Sequence, residues 1–416
     1  MKTSKTRIHM LKSHNDLSTI ASRGISLHCH TENSKEMLDF IPSYAEKLPI
    51  IAHFWRNESK KYFEREGKEI DFSSAFWAPP LSPETVHSLE AKQIENSGLE
   101  ALVSITDHDC IGANLSLAET GKTEIPISLE WTVPFEYGFF HIGVHNLPKT
   151  FALELSETLI DFSFATTTVP DKEKLHELFE MLNAHREIVL VLNHPIWDIE
   201  RVGQEKHESL LRSFLREFGG CLHALEINGF RSWSENKAVA EIAELFGIPL
   251  LSGGDRHGCQ PNTVLNLSDC SSFAEFADEI RVDKHSEIVL MPEYRLPLHS
   301  RQLQSFAEIL REFPNFEEGK QRWNERVYFD LNDGIGLASL AERGWVRGPL
   351  WLRIAIKVLG VMGSPGFRPL FELARSEKDR VPNNLHNPNF VLPTGNKKDF
   401  PKTTSGNHST ASEFVS

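Results

Sequence analysis

Short apolar, partly β-branched runs recur through the first two thirds of the chain. They predict strands at Ile25–Leu27, Leu102–Thr106, Ile125–Leu129, Phe139–Val144, Ile188–Leu192, Ala224–Ile227 and Ile248–Leu251. Helical periodicities lie between most of them. Ser82-Pro83-Glu84-Thr85 supplies an N-cap and a proline at the first helical position, with Val86, Leu89 and Ile94 following on one face. Asp171 caps a second helix through Leu175, Leu178, Phe179 and Leu182. Leu210, Leu211, Phe214 and Leu215 mark a third, closed by Gly219-Gly220. Ala238, Val239, Ile242, Ala243 and Leu245 mark a fourth, closed by Gly247. Strand and helix alternating at this spacing predict an α/β fold with parallel strands in a sheet or barrel.

Two regions leave the alternation. Phe40 to Pro80 reads as an insertion rich in aromatic residues (Phe54, Trp55, Tyr62, Phe63, Phe72, Phe76, Trp77), most simply a lid or a satellite core. The segment 281–375 carries helical stretches around Leu303–Phe313 and Leu350–Leu359. The predicted organisation is a leader over 1–23, a main unit over 24–280 with its insertion at about 40–80, a partly helical region over 281–375, and a tail over 376–416. That tail is rich in Asn, Pro, Thr, Ser and Gly and is expected to lack structure.

The polar residues at the strand ends sharpen the picture. Beyond successive runs stand His28 and His30, then Asp107-His108-Asp109, Glu130, Asn193-His194, Glu226–Asn228, and Asp255 with His257; His141 lies inside its own run. In α/β barrels the C-terminal strand ends converge on one face and carry the chemistry. Residues i and i+2 of a strand share a face, so His28 and His30 can hold one ion while Cys29 points away. Imidazole with carboxylate suits Zn²⁺, Mn²⁺ or Fe²⁺. His141 is preferred to His145 as a ligand for its distance from Glu130, and Asp107 and Asp109 are expected to support His108 rather than to coordinate.

Composition narrows the function classes. With 44 basic against 58 acidic side chains the formal charge is −14, which argues against a coat for nucleic acid or anionic lipid. No apolar run is long enough to cross a bilayer, and the first residues lack the apolar core of a signal peptide. Five scattered cysteines without a CxxC pair fit a reducing compartment, so a cytoplasmic protein is expected.

Four ordered motifs carry a family resemblance: Leu27-His28-Cys29-His30-Thr31, Ser104-Ile105-Thr106-Asp107-His108-Asp109, Asn193-His194-Pro195 and Gly254-Asp255-Arg256-His257-Gly258. Over about Gly24 to Gln260 the sequence resembles the PHP (polymerase and histidinol phosphatase) family of metal-dependent phosphoesterases. The resemblance implies a distorted (β/α)7 barrel with two or three divalent ions. By analogy His28, His30, Glu130 and Asp255 hold one ion. Glu130 bridges to a second, completed by His141 and His194, and His108 and His257 belong to a third. One departure stands out: Ser34-Lys35 occupies the place where the family often has Ser-Asp. Either Glu36 or Asp39 substitutes, or the third site is weak, or Lys35 meets a substrate phosphate as a point charge.

The resemblance implies hydrolysis of a small phosphorylated metabolite or nucleotide by a metal-activated water. Asp255 or a neighbouring carboxylate is the candidate proton acceptor, Arg256 the first candidate for the substrate phosphate, and Arg231 the second. An extended nucleic-acid substrate is disfavoured, because the sequence advertises no basic track. Two alternatives stay open. One is hydrolysis of a C–N or C–O bond at the same metals; the other is a metal-binding module without turnover.

Overall fold

The computed structural model describes residues 5–382, apart from 15, 40–41, 43–45, 47–48, 68, 70, 73, 122–123, 166–169, 200–201, 312–321, 331–335 and 346–349. The predicted tail therefore lies outside the described residues from 383 onward.

In chain order the strands are β1 (Lys5–Met10), β2 (Arg23–Ser26), β3 (Glu36–Met37), β4 (Phe76–Trp77), β5 (Glu100–Val103), β6 (Ile127–Phe135), β7 (Gly138–Leu147), β8 (Val189–Leu192), β9 (Ala224–Asn228), β10 (Leu250–Gly253), β11 (Val264–Ser268), β12 (His285–Leu290), β13 (Val327–Asp330) and β14 (Leu337–Ser339). They form a five-stranded sheet ordered β1-β12-β11-β2-β5, a second ordered β10-β9-β8-β7-β6, and a small sheet ordered β14-β13-β4-β3.

The chain is thus mixed α/β, as the alternation predicts, but its strands are not uniformly parallel. β2 with β5, β8 with β9 and β9 with β10 are parallel; β6, β7 and β8 pair antiparallel, as do β11 and both its neighbours. The cause of the largest departure is local. Glu136-Tyr137 joins two long apolar runs with too few residues for a crossover helix, so β6 and β7 close as a hairpin. No continuous ladder closes the two large sheets into a barrel among the described residues; single parallel bridges at His108 with Glu130 and at Cys29 with Arg256 tie them instead.

Local signals place the helices where expected. The Ser82 side chain accepts from Thr85 N–H, and Asp171 does the same for Lys174 N–H. Gly247 ends its helix in the left-handed conformation at φ 67°, which a glycine adopts without the cost of a Cβ clash. The helix Gln204–Phe218 buries Leu210, Leu211, Phe214, Leu215 and Phe218 along one stripe. These pack with Trp131, Phe135 and Phe179 in the largest core cluster, outside the β6–β7 hairpin. That packing holds the hairpin so that its other face points at the site.

The segment read as a leader supplies β1, which pairs in parallel with β12. The end of the aromatic insertion supplies β4, which lies between β3 and β13. The small sheet therefore joins the first motif's loop to the C-terminal region.

Candidate metal centre

Strand geometry positions the first candidate ligands. Beyond β2 the chain stays extended, so His28 and His30 project to one side, both 1% exposed, while the Cys29 thiol turns to the Ser104 carbonyl. Their Nε2 atoms are 3.1 Å apart. At that separation the two nitrogens either share one proton or face one cation.

Glu130 is the hub. One oxygen, Oε2, lies 3.1 Å from His28 Nε2, 3.3 Å from His108 Nε2 and 3.5 Å from His30 Nε2. The other, Oε1, lies 3.2 Å from His194 Nε2 and 3.3 Å from His141 Nδ1, and accepts from Asn193 Nδ2 at 3.0 Å. The carboxylate thus faces two sets of imidazoles with its two oxygens. Neither Glu130 nor His141 sits at a strand end, as the sequence pattern suggested for Glu130. Both lie within the hairpin, where Glu130 pairs with Gly143 and Thr132 with His141, which puts the two ligand candidates on a cross-strand diagonal.

A third set forms around Glu36. Its Oε1 is 3.3 Å from His257 Nε2 and 3.6 Å from His30 Nδ1, and its Oε2 is 3.3 Å from His108 Nε2. Ser34 fixes it, donating its hydroxyl to Glu36 Oε1 at 2.8 Å while accepting from His108 N–H. Of the alternatives raised by the departure at position 35, Glu36 enters the cluster, whereas Asp39 and Lys35 are exposed. Lys35 lies 5.7 Å over the Phe76 ring. Asp255 completes the group, with Oδ1 3.7 Å from His30 Nε2 and from His257 Nδ1 and 3.8 Å from His28 Nε2.

The ligand atoms fall into overlapping groups, each compact enough for one cation: His28, His30 and Asp255; His28, Glu130 and His194; His30, His108 and Glu130; and His30, Glu36 and His257. The donor set fits divalent ions, being histidine and carboxylate throughout. His141 Nδ1 is buried, and its neighbour in the site is Glu130 Oε1 at 3.3 Å.

Electrostatics follow from burial against opposite charge. Burial alone would raise the Glu130 carboxyl, but His28, His108 and His141 hold it well below the usual carboxylate range. Burial opposes charge on His108 too, yet Glu36 and Glu130 raise it to about 10. His141 and His30 are both brought down to about 4, chiefly by burial, the latter helped by His257. Burial and the charges of the cluster's own carboxylates and imidazoles thus act in opposite directions on these groups.

Outer contacts orient the imidazoles. Glu226, beyond the sequence-predicted ligands, sits on β9 with Oε1 2.6 Å from His28 Nδ1 and Oε2 accepting from His194 N–H at 2.7 Å. Asp107 accepts from the Thr31 amide and hydroxyl, and Asp109 from Thr132 N–H, so both support the loops rather than reach the cluster. His145 turns from the site to the Ser104 hydroxyl at 2.8 Å, leaving His141 as the hairpin's imidazole there. The backbone is strained at the site: His194 and Asp255 hold φ of 29° and 52°.

The arginines lie differently. Arg256 forms a buried ion pair with Glu90 at 2.7 Å and donates to the carbonyls of Gly258 and Cys259. Arg231 packs 3.8 Å over the Trp197 ring, and Trp197 meets His194 edge-on with centroids 5.0 Å apart.

No family model and no curated protein matches the chain. Among solved structures it is similar to a "putative metal-dependent phosphoesterase" from Bifidobacterium adolescentis, with 14% identity over 50% of this chain and 92% of that one, and a TM-score of 0.28. A likeness of that size carries no functional argument.

Proposed function

We propose that the protein is a metal-dependent phosphoesterase of PHP type, acting on a small phosphorylated molecule. The observation that carries this reading is the Glu130 carboxylate, whose two oxygens face separate sets of imidazoles. In this reading the two large sheets are the halves of a distorted barrel, tied where His108 meets Glu130 and Cys29 meets Arg256.

His28, His30, Asp255 and Glu130 would hold one ion, and Glu130, His141 and His194 a second. Glu36, His108 and His257 would hold a third, with manganese, zinc or iron all compatible. Bound ions of this kind supply Lewis-acid activation of water and of phosphoryl oxygens. The chain's own residues do the rest. Asp255 is held well below the usual carboxylate range, against burial, by His28, His30 and His257, so it is ionised at neutral pH. It lines the adjoining cavity, with its Oδ2 3.4 Å from Asn228 Nδ2, and in this reading it would take the proton. The Glu226 carboxylate can only accept from His28 Nδ1, which would leave Nε2 to face an ion in the cluster. Arg256 is committed to Glu90 and the Gly258–Cys259 loop, so Arg231, stacked on Trp197, is the candidate for a phosphate oxygen. Lys35 contributes charge only at the rim.

The test is hydrolysis of a panel of phosphomonoesters and phosphodiesters with added Mn²⁺ or Zn²⁺, with Asp255→Asn and His28→Ala alongside after their folding is checked. Turnover in the wild type that disappears in both variants supports the reading. A wild-type protein that holds its metals and turns over no phosphate ester overturns it.

A further inference from the structure

A cavity of about 510 Å³ opens beside the metal centre and is shared between Asp255 and His257 on one wall and the C-terminal helical region on another. That size suits a small organic ligand, for which sites of roughly 300–1,000 Å³ are usual. It is much larger than a lone phosphate needs. What stands on the far wall therefore bears on what else the ligand carries.

Most of the charge on that wall is already committed. Glu293 has its Oε1 2.7 Å from His14 Nε2. Arg301 is buried and gives its guanidinium to the carbonyls of Gly229, Arg231 and Leu296. Arg368 differs. Its Nη2 and Nε reach the Gln304 carboxamide oxygen at 3.0 and 3.3 Å once that amide is turned to satisfy them, and among the described residues no carboxylate pairs with it. Gln304 is itself buried and lines the same cavity. A neutral amide thus positions a guanidinium at the cavity wall without neutralising it. The planar fork retains Nη1 for an anion, and such contacts favour carboxylate and phosphate.

We infer that Arg368 is the second anchor of the substrate site, so that the substrate is a phosphate ester bearing a second anionic group, phosphate or carboxylate, at the end remote from the metal centre. This rests on the phosphoesterase reading for the role of the metal centre. It goes beyond that reading in assigning the C-terminal region to recognition. Arg368 acts here by binding and selecting, not on the reacting atoms.

The test is calorimetric titration of the full, metal-loaded chain with hydrolysis-resistant probes of matched chain length: alkylphosphonates with an uncharged end, α,ω-alkanediphosphonates and ω-carboxyalkylphosphonates. Wild type is compared with Arg368→Ala and with Gln304→Glu, which keeps the guanidinium but pairs it. The charged end should improve affinity about tenfold or more in the wild type, and the gain should vanish in both variants. The better of the two charged probes names the second anion. No gain in the wild type, or a gain that survives in Arg368→Ala, overturns the inference. If the gain appears and is lost as expected but no ester is hydrolysed, the anchor stands and the phosphoesterase reading fails.

Discussion

Glu226 Oε1 lies 2.6 Å from Nδ1 of His28, and the other oxygen of the same carboxylate takes the His194 amide. One outer side chain therefore orients two candidate ligands that come from strands on different sheets. The β10 glycine beneath it is required: a Cβ on Gly253 would fall into the Glu226 carboxylate and within 2.6 Å of His28 Cβ.

Replacing Glu226 by Gln keeps its shape and removes its charge. Metal affinity is expected to fall about 10–100-fold, the range for lost outer partners of ligating histidines. Competition against a fluorescent chelator measures it. An affinity unchanged within a factor of two would remove Glu226 from the centre.

Glu36 and Lys35 are neighbours with opposite prospects. Glu36→Gln removes a carboxylate facing His30, His108 and His257, and should weaken metal binding by more than the loss of Glu226 does. Lys35→Gln removes an exposed cation above Phe76 and should leave metal content as it is. Measuring bound metal in both proteins checks the pair; the reverse order would assign the third set to other residues.

The Arg256–Glu90 pair is buried, with side chains 7% and 0% exposed. Glu90→Ala leaves an uncompensated guanidinium, a change that typically costs about 3–5 kcal/mol. Urea unfolding at pH 7 should show this loss. Stability within about 1 kcal/mol of wild type would mean that Arg256 has another anionic partner to turn to.

His223 gives the pH dependence away from the metal centre. Its Nδ1 accepts from the Leu190 amide, so it is neutral in the fold, and burial, helped by Arg281 and Lys284, brings it down to about 3 from 6.5. The unfolded chain therefore binds more protons than the folded one between those values. The contribution is whole above pH 6.5 and is lost as pH falls toward 3, at up to about 1.4 kcal/mol per pH unit. The stability difference between wild type and His223→Gln should shrink between pH 7 and pH 5 in urea titrations. A difference that stays constant would show that His223 does not titrate in this way.

The residues that local chemistry dictates were legible in the sequence. Strand cores from Ile25 to Leu251, the Ser82 and Asp171 caps, and the Gly247 stop all follow from propensity and spacing, as does the pairing of His28 with His30 across Cys29. What escaped was set by tertiary contact. β3 and β4 are two residues long and carry no period, yet their pairing brings Glu36 to His257 and Trp77 to within 5.7 Å of the same ring. Glu226 stood in view at a strand end, but only the fold shows it turned to His28. Arg256 follows a motif aspartate, and only the burial of Glu90 explains why its guanidinium leaves the centre. The hairpin had a visible signal in the two-residue Glu136-Tyr137 link, which the expectation of parallel strands overrode.

Whether Glu130 joins two metal sites is decided by elemental analysis of bound metal after loading with Mn²⁺ or Zn²⁺ and desalting, in wild type and in Glu130→Gln. Two or three equivalents in the wild type, with loss of at least one in the variant, is the predicted result. A wild type that retains no metal, or a variant that retains as much, would contradict it.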